Sequence, residues 1–205
     1  MSQTAPIYLP LPSQKGNMSL AEAIARRRSI RDFTPYSISQ AQLSQILWAT
    51  QGITDTRERY RAVPSAGATY PLEIFVVCGR NYSEKIDDGI YHYDVACHSL
   101  TLRHKGDARL ELARAALDQE CICQAPVNIV ICALYERTAM RYGTRTERYV
   151  HMEVGHAGQN IYLQATALGL ATVAIGAFYD EQVRKVLLLE KRYKPLYIMP
   201  VGKPA

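Results

Sequence analysis

The chain predicts an α+β fold in which helices flank a central, mostly antiparallel sheet, and three features carry that prediction. Leu72–Cys78 (LEIFVVC) and Val127–Leu134 (VNIVICAL) are, apart from Glu73 and Asn128, apolar and rich in β-branched and aromatic residues, as buried strands are. Gly89–Asp94 and residues 99–104 read as the two arms of a hairpin. Helical and strand patterns mix without regular strand–helix–strand winding, and no period of about 20 to 50 residues repeats.

Taken in order, residues 1–18 are polar and carry Pro6, Pro10 and Pro12, an extended arm; residues 19–205 then form one domain. Ser19 and Glu22 make a capping box that opens a helix through Leu20, Ala23 and Ile24, which puts Arg27, Arg28, Ser29, Ile30 and Arg31 on its last turn. Ser39 with Gln42 opens a second helix, apolar at Leu43, Ile46 and Leu47, that stops at Gly52. Residues 53–63 hold Arg57, Arg59 and Arg61 with little that is apolar, and are expected to be a mobile loop. After the 64–71 turn, strand 72–78 and the hairpin, Asp107 is expected to cap a helix through Leu117. Strand 127–134 follows, then a short helix over 135–142 and the longest helix over about 147–168, ended by Gly169. That helix carries Val154, Ala157, Gly158, Ile161, Ala165 and Leu168, so its centre should lie buried between other elements. A strand at 171–175, a helix capped by Asp180 and a closing strand at 196–201 complete the chain.

At 205 residues and 23.0 kDa the chain is the size of one large domain. Lys and Arg total 24 against 19 Asp and Glu, a net charge of 24 − 19 = +5, and 17 of the cations are Arg, which favours bidentate recognition of anions. A pI near 8.9 permits nucleic-acid contact, but no Lys/Arg block exceeds three residues and neither helix-turn-helix nor zinc-finger spacing appears, so no nucleic acid is expected. The five Cys are an odd number, and Cys121-x-Cys123 has no second pair or His partners at zinc spacing. A reduced, cytoplasmic protein with no metal site is expected. No charged segment leads into an apolar run at the N-terminus, and no stretch of about 18 apolar residues appears, so neither a signal peptide nor a membrane span is expected.

Arg27, Arg28, Ser29 and Arg31 have the donors to grip a phosphomonoester, because each guanidinium is a planar fork that meets phosphate oxygens in pairs. Cations at a helix end can equally be answering the macrodipole. Pro64, Ser65, Ala66 and Gly67 lead into a strand with small side chains that let a planar ligand approach the backbone, or form an ordinary proline-held loop. Ile175 and Gly176 could offer backbone N–H groups to a ring edge, and Lys203, after Gly202, is either a tail lysine or another phosphate ligand. There is no G-x-G-x-x-G after a strand, no Walker A motif and no G-x-S-x-G elbow. His92, His98 and His104 read as exposed hairpin residues; His151 and His156 miss metal spacing.

Five segments in register resemble the FMN-dependent nitroreductase family: 27–33 (RRSIRDF), 64–73 (PSAGATYPLE), 155–160 (GHAGQN), 174–178 (AIGAF) and 200–204 (PVGKP). The branch most similar contains the thiazoline and oxazoline (SagB-type) dehydrogenases of peptide natural-product biosynthesis, and the resemblance covers about 18–204. It implies an intertwined α+β homodimer with FMN at the subunit interface. Arg27, Arg28, Ser29, Arg31 and Lys203 would then hold the phosphate and ribityl chain, Pro64, Ser65, Ala66 and Gly67 would come from the partner subunit, and the backbone of Ile175 and Gly176 would face the N5 and O4 edge. NAD(P)H would be a transient co-substrate, which explains the missing dinucleotide cradle.

Azoline-oxidising members of the branch use a Lys-Tyr pair for deprotonation, and the corresponding pair here is Arg141-Tyr142. An Arg stays protonated near neutral pH and cannot be that base, which leaves Tyr142 as the candidate catalytic residue, with Arg137, Arg141, Arg145 and Arg148 as a solvated or anion-facing stripe. The expectation is an enzyme that reduces small electrophiles such as nitroaromatics or quinones in two ping-pong half-reactions. Its rivals are an azoline dehydrogenase working with a peptide-modifying partner, and a non-catalytic flavin- or anion-binding module.

Overall fold

The computed structural model describes residues 5–80 and 86–205, so the first four residues of the expected arm lie outside the description. In chain order the strands are β1 (Ile7–Tyr8), β2 (Leu72–Cys78), β3 (Gly89–Asp94), β4 (Ser99–Lys105), β5 (Val127–Leu134), β6 (Ala171–Thr172) and β7 (Tyr193–Gly202). Among the described residues they form one sheet in the order β1-β4-β3-β2-β5-β7-β6, every neighbouring pair antiparallel. The helices are α1 (Leu20–Arg26), α2 (Gln40–Gln51), α3 (Arg109–Ala115), α4 (Cys121–Gln124), α5 (Tyr135–Tyr142), α6 (Thr146–Ala167) and α7 (Asp180–Val186), with short 3-10 turns at Ala66–Ala68 and Gly143–Arg145.

The continuous apolar runs of β2 and β5 have a direct cause. Leu72, Ile74 and Val76 pack with Leu43, Ile46 and Leu47 of α2 and Val150, Val154 and Ile161 of α6, while Phe75 and Val77 pack with Leu112 of α3, Ile122 of α4 and Val183 of α7. Strand side chains alternate between faces, so a strand with helices on both sides is apolar at most positions; the exceptions, Glu73 and Asn128, are met by His92 and Arg137 and by the Ile122 carbonyl. Each fully buried Leu, Ile, Val or Phe contributes about 1.5–3 kcal/mol. Both capping boxes form, Ser19 with Glu22 and Ser39 with Gln42.

Several boundaries differ from the sequence reading, each for a local reason. The arm is extended as expected, but Ile7–Tyr8 adds a strand to β4. The arginine cluster does not lie on the last turn of α1. Arg27 is already the C-cap, at φ −52° and ψ 125°, and Ser29 makes a parallel bridge to Thr172, so pairing with β6 pulls the cluster out as extended chain. Residues 53–63 fold back as a tied turn: Ile53 bridges Arg61, and Ala62 donates its N–H to Gly52. The N-cap of α3 is Ala108, not Asp107; one residue earlier, Asp107 accepts the Arg109 N–H at 3.2 Å and the Arg109 guanidinium at 2.9 and 2.7 Å. The helix stops at Ala115, before Leu117 and Asp118 turn to φ of +59° and +56°. The strand expected over 171–175 is regular for two residues only, then touches β7 again through the Ile175–Ile198 bridge. Asp180 is the first residue of α7 rather than its cap, and β7 begins at Tyr193.

The hairpin histidines are also corrected. His92 binds Glu73 at 2.6 Å, and half-buried His98 lies 2.8 Å from the Tyr93 hydroxyl and 2.7 Å from Ser44 Oγ, its pKa lowered by burial. His104 alone is exposed. Among the described residues no helix is long and apolar enough to cross a membrane, and no group of His, Cys, Asp and Glu is arranged to hold a metal ion.

Candidate functional site

The sequence-predicted residues gather at two centres, both anchored on α6. The first is organised by Tyr162. Its hydroxyl lies 2.8 Å from Ser29 Oγ and accepts the Ala174 N–H at 2.8 Å, and the Arg27 guanidinium carbon sits 5.1 Å from its ring centroid. One phenol therefore ties the 27–31 segment to the 174–176 segment. Lys203 reaches the same neighbourhood from the far end of the chain: Thr34 donates its N–H to the Lys203 carbonyl, Phe33 bridges Pro204, and Lys203 Nζ stands 4.9 Å from the Tyr36 ring.

The polar balance at this centre is one-sided. Arg28, Arg31 and Lys203 are exposed and Arg27 is half-buried, and none of the four is ion-paired among the described residues. Arg28 is partly engaged, donating from Nη1 to the Ala25 and Arg27 carbonyls. Of the two backbone donors expected nearby, Ile175 is taken: its N–H goes to Ile198 at 2.9 Å and its carbonyl accepts from Ile198 at 3.0 Å. The bridge that ends the β6 region removes Ile175 from ligand contact through its backbone. The exposed Gly176 N–H, by contrast, makes no hydrogen bond among the described residues.

The second centre is the 64–70 loop, and here nearly every polar group is engaged. Ser65 Oγ accepts the Tyr70 N–H at 2.9 Å and donates to Glu153 Oε2 at 2.6 Å. Arg137 donates to the Tyr70 carbonyl and Arg141 to the Gly67 carbonyl, at 2.9 and 3.0 Å, while Thr69 and Thr138 hydroxyls meet at 2.9 Å. The backbone so held is strained, with φ of +57° at Gly67, +54° at Ala68 and +45° at Tyr70. A Cβ on Gly67 would stand 2.6 Å from the Tyr142 hydroxyl, so Arg141, Tyr142 and residues 65–67 meet within one chain. The expected arginine stripe does not exist as a unit, because α5 ends at Tyr142 and Gly143 turns at φ +51°. Arg137 and Arg141 face the loop, whereas Arg145 and Arg148 are exposed.

Arg61 is not free for a ligand either. It donates to Gln51 Oε1 at 2.9 Å and stacks 4.3 Å from the Tyr70 ring centroid, and desolvation lowers its pKa. Beside the loop, burial pushes the Glu73 carboxyl up, but His92 and Arg137 outweigh it and hold the group below the usual range.

Sequence reasoning missed two residues, Tyr162 and Glu153. Nothing in the sequence marks Tyr162. Glu153 had a signal: it lies among Val150, Val154 and Ala157 on the apolar part of α6, and is only 3% exposed. Burial pushes its carboxyl up to about 7, against the pull of Ser65 and Arg61. The two residues are nine positions apart on α6, about 14 Å along the axis and about half a turn around it. The two centres of one chain therefore open on opposite sides of the helix.

The model of the nitroreductase family matches residues 24–203. A protein of Methanocaldococcus jannaschii described as a candidate nitroreductase is 45% identical over 207 residues, covering 99% of this chain and 98% of that protein. The microcin B17-processing protein of Escherichia coli is 28% identical over 146 residues, 69% of this chain and 54% of that protein, so the chain accounts for about half the length of this relative. Among solved structures, a candidate nitroreductase of Ralstonia eutropha superposes with a TM-score of 0.86 over 100% of this chain and 92% of that chain, at 24% identity, a likeness of fold.

Proposed function

The chain belongs to the nitroreductase family, and on that premise we propose that it is a homodimeric, cytoplasmic FMN-dependent oxidoreductase that carries reducing equivalents from NAD(P)H to small electrophiles such as nitroaromatics or quinones. One observation carries the reading: the segments bearing Arg27, Arg28, Arg31 and Lys203 are bridged to one another through Thr172 and Pro204, and among the described residues none of these cations has a carboxylate partner and the Gly176 N–H has no acceptor. That donor set fits a phosphate-bearing flavin. The cations and Ser29 hold the phosphate end, since a charged hydrogen bond is worth about 1.5–3 kcal/mol net. Gly176, fixed by the Ala174–Tyr162 bond, presents one N–H to the ring edge. Bound FMN would supply the redox chemistry, and the chain binds it, orients it and limits water.

The ruler of α6 supports a dimer. Centres on opposite sides of one helix do not close around one ligand, so the 64–67 loop of one copy is suited to complete the site formed by the Tyr162 side of another. A second reading, an azoline dehydrogenase acting on heterocyclised peptides with a partner protein, is favoured by one contact, the Tyr142 hydroxyl against Gly67, and by the microcin-processing relative. Arg141 does not restore the missing lysine, since its guanidinium is bound to the Gly67 carbonyl.

The deciding measurement is flavin absorbance under anaerobic conditions. Rapid bleaching by NADH or NADPH, followed by reoxidation with a quinone or nitroaromatic, is the expected result. A flavin reduced by an azoline peptide but by neither nicotinamide would replace the first reading with the second.

A further inference from the structure

Glu153 is a carboxylate at the base of the 64–70 loop, buried in an apolar helix face, for which neither phosphate binding nor hydride transfer has a use. Its surroundings are unusual. Oε2 accepts the hydrogen bond of the Ser65 hydroxyl, while Oε1 has no partner among the described residues. Gln51, at the end of α2, faces the carboxyl with an Nε2 that also lacks a partner, its Oε1 being taken by Arg61. Among the described residues Arg61, from the 53–63 turn, is the one charged side chain acting on Glu153; Ser65 and Gln51 are its neutral neighbours, both lowering its pKa.

The Ser65 hydroxyl is what makes this arrangement consequential. Its oxygen accepts the Tyr70 N–H across the loop, so its single proton is directed at Glu153. Between Ser65 and Tyr70 lie two residues with positive φ, and Tyr70 itself is a third. Such backbone persists only where its surroundings over-determine it. On the other side Arg137 and Arg141 hold the carbonyls of Tyr70 and Gly67, so the Glu153–Ser65 bond is the buried half of a clamp whose outer half is cationic.

We propose that Glu153 is a positioning residue: through Ser65 it holds the strained 64–70 loop in the shape that presents Ala66 and Gly67 to the cofactor of a second copy. This rests on the assignment of that loop to the flavin site. The clamp is also sensitive to protons. An ionised carboxylate accepts the Ser65 hydroxyl as a charge-assisted bond, roughly twice as strong as a neutral one, and the carboxyl titrates at about 7, where modest changes of pH switch its charge. Burial raises this carboxyl and so costs stability as pH rises toward about 7, but the Ser65 bond lowers it; an opening that breaks that bond while Glu153 stays buried is therefore harder above that pH than below it.

Hydrogen–deuterium exchange of the flavin-free protein tests the clamp without the cofactor, reading the peptide that contains the Tyr70 amide at about pH 5.5 and about pH 8.5, corrected for the intrinsic exchange rate. In the wild type the Tyr70 amide should open about tenfold more readily at the lower pH, the difference between a charged and a neutral hydrogen bond. Glu153→Gln should exchange at the fast rate at both pH values, and Ser65→Ala should do the same, which keeps the test decisive if the glutamine variant does not fold. Equal protection in wild type and Ser65→Ala, or wild-type protection independent of pH, overturns the proposal. A flavin titration over the same pH range separates the two claims. Exchange that behaves as expected while flavin affinity ignores both pH and Ser65→Ala leaves the clamp standing and removes the loop from the flavin site.

Discussion

At the Tyr162 end of α6 charge exceeds its partners: three exposed cations and the half-buried Arg27 have no carboxylate pairing among the described residues, on backbone of ordinary conformation. At the Glu153 end nearly every donor has an acceptor, and the backbone is bent into positive φ at Gly67, Ala68 and Tyr70. The first region stores unsatisfied charge, and its affinity waits for an anion. The second stores strain, at a cost of order 1–2 kcal/mol for each L-residue in the left-handed region, and its shape exists before any ligand arrives. Substitutions at one end should alter affinity and salt dependence, and at the other geometry and stability.

The largest effect falls on the charged end. Arg27→Ala with Arg31→Ala removes two charged phosphate contacts, so flavin affinity should fall by about 3–6 kcal/mol, a hundredfold or more in Kd. Being exposed or half-buried and without ion pairs, the two side chains contribute little to folding, and the unfolding free energy from urea denaturation should change by no more than about 0.5 kcal/mol. Fluorescence titration and denaturation of the same sample separate these outcomes. Residual binding in the wild type should weaken with added salt, since the cations are screened over about 10 Å at 0.1 M. A double mutant that retains full flavin would show that the cluster answers only the solvent.

Much of the fold was legible because burial writes itself into strand composition: β2 and β5 are apolar at all but one position each, Glu73 and Asn128, since helices cover both faces. Capping boxes fixed helix starts equally well, because a cap is a contact between residues three apart. Helix and strand ends were less legible. The end of α1 depends on Thr172, a residue more than 140 positions away, and the loss of the Ile175 donor depends on Ile198. The same holds at the site. The arginine motif was visible as composition, whereas Tyr162 and Glu153 act through partners that only the fold brings near.

At the strained end Gly67→Ala should cost less in affinity and more in shape. The residue sits at φ +57°, and an added Cβ would stand 2.6 Å from the Tyr142 hydroxyl and 2.9 Å from Arg141. The conformational penalty is about 1 kcal/mol. The clash falls on the ends of movable side chains, so the protein should fold with a loss of about 1–2 kcal/mol while Tyr142 and Arg141 leave their places. Turnover should fall further than flavin affinity does, which steady-state rates at saturating FMN would reveal. If affinity falls as much as it does for the arginine pair, the division between the two ends is wrong.

The smallest effect belongs to Tyr162→Phe, which tests the anchor of the charged end while leaving its charge untouched. The phenol oxygen holds both Ser29 Oγ and the Ala174 N–H, and the ring beneath Arg27 survives the change. Ala174 is half-buried, so water can reach its freed N–H and replace part of the lost bond. A stability loss of about 1 kcal/mol is expected, typical of one net hydrogen bond. Flavin affinity should fall by a few-fold to about tenfold, because the segments carrying Ser29 and Gly176 are no longer tied to each other although every cation remains. Exchange protection at Tyr70, which is tied through Ser65 to α6 nine positions before the altered phenol, should not change. Loss of that protection in Tyr162→Phe would mean that the two centres communicate through α6, and the charged and strained ends would then have to be treated as one cooperative unit.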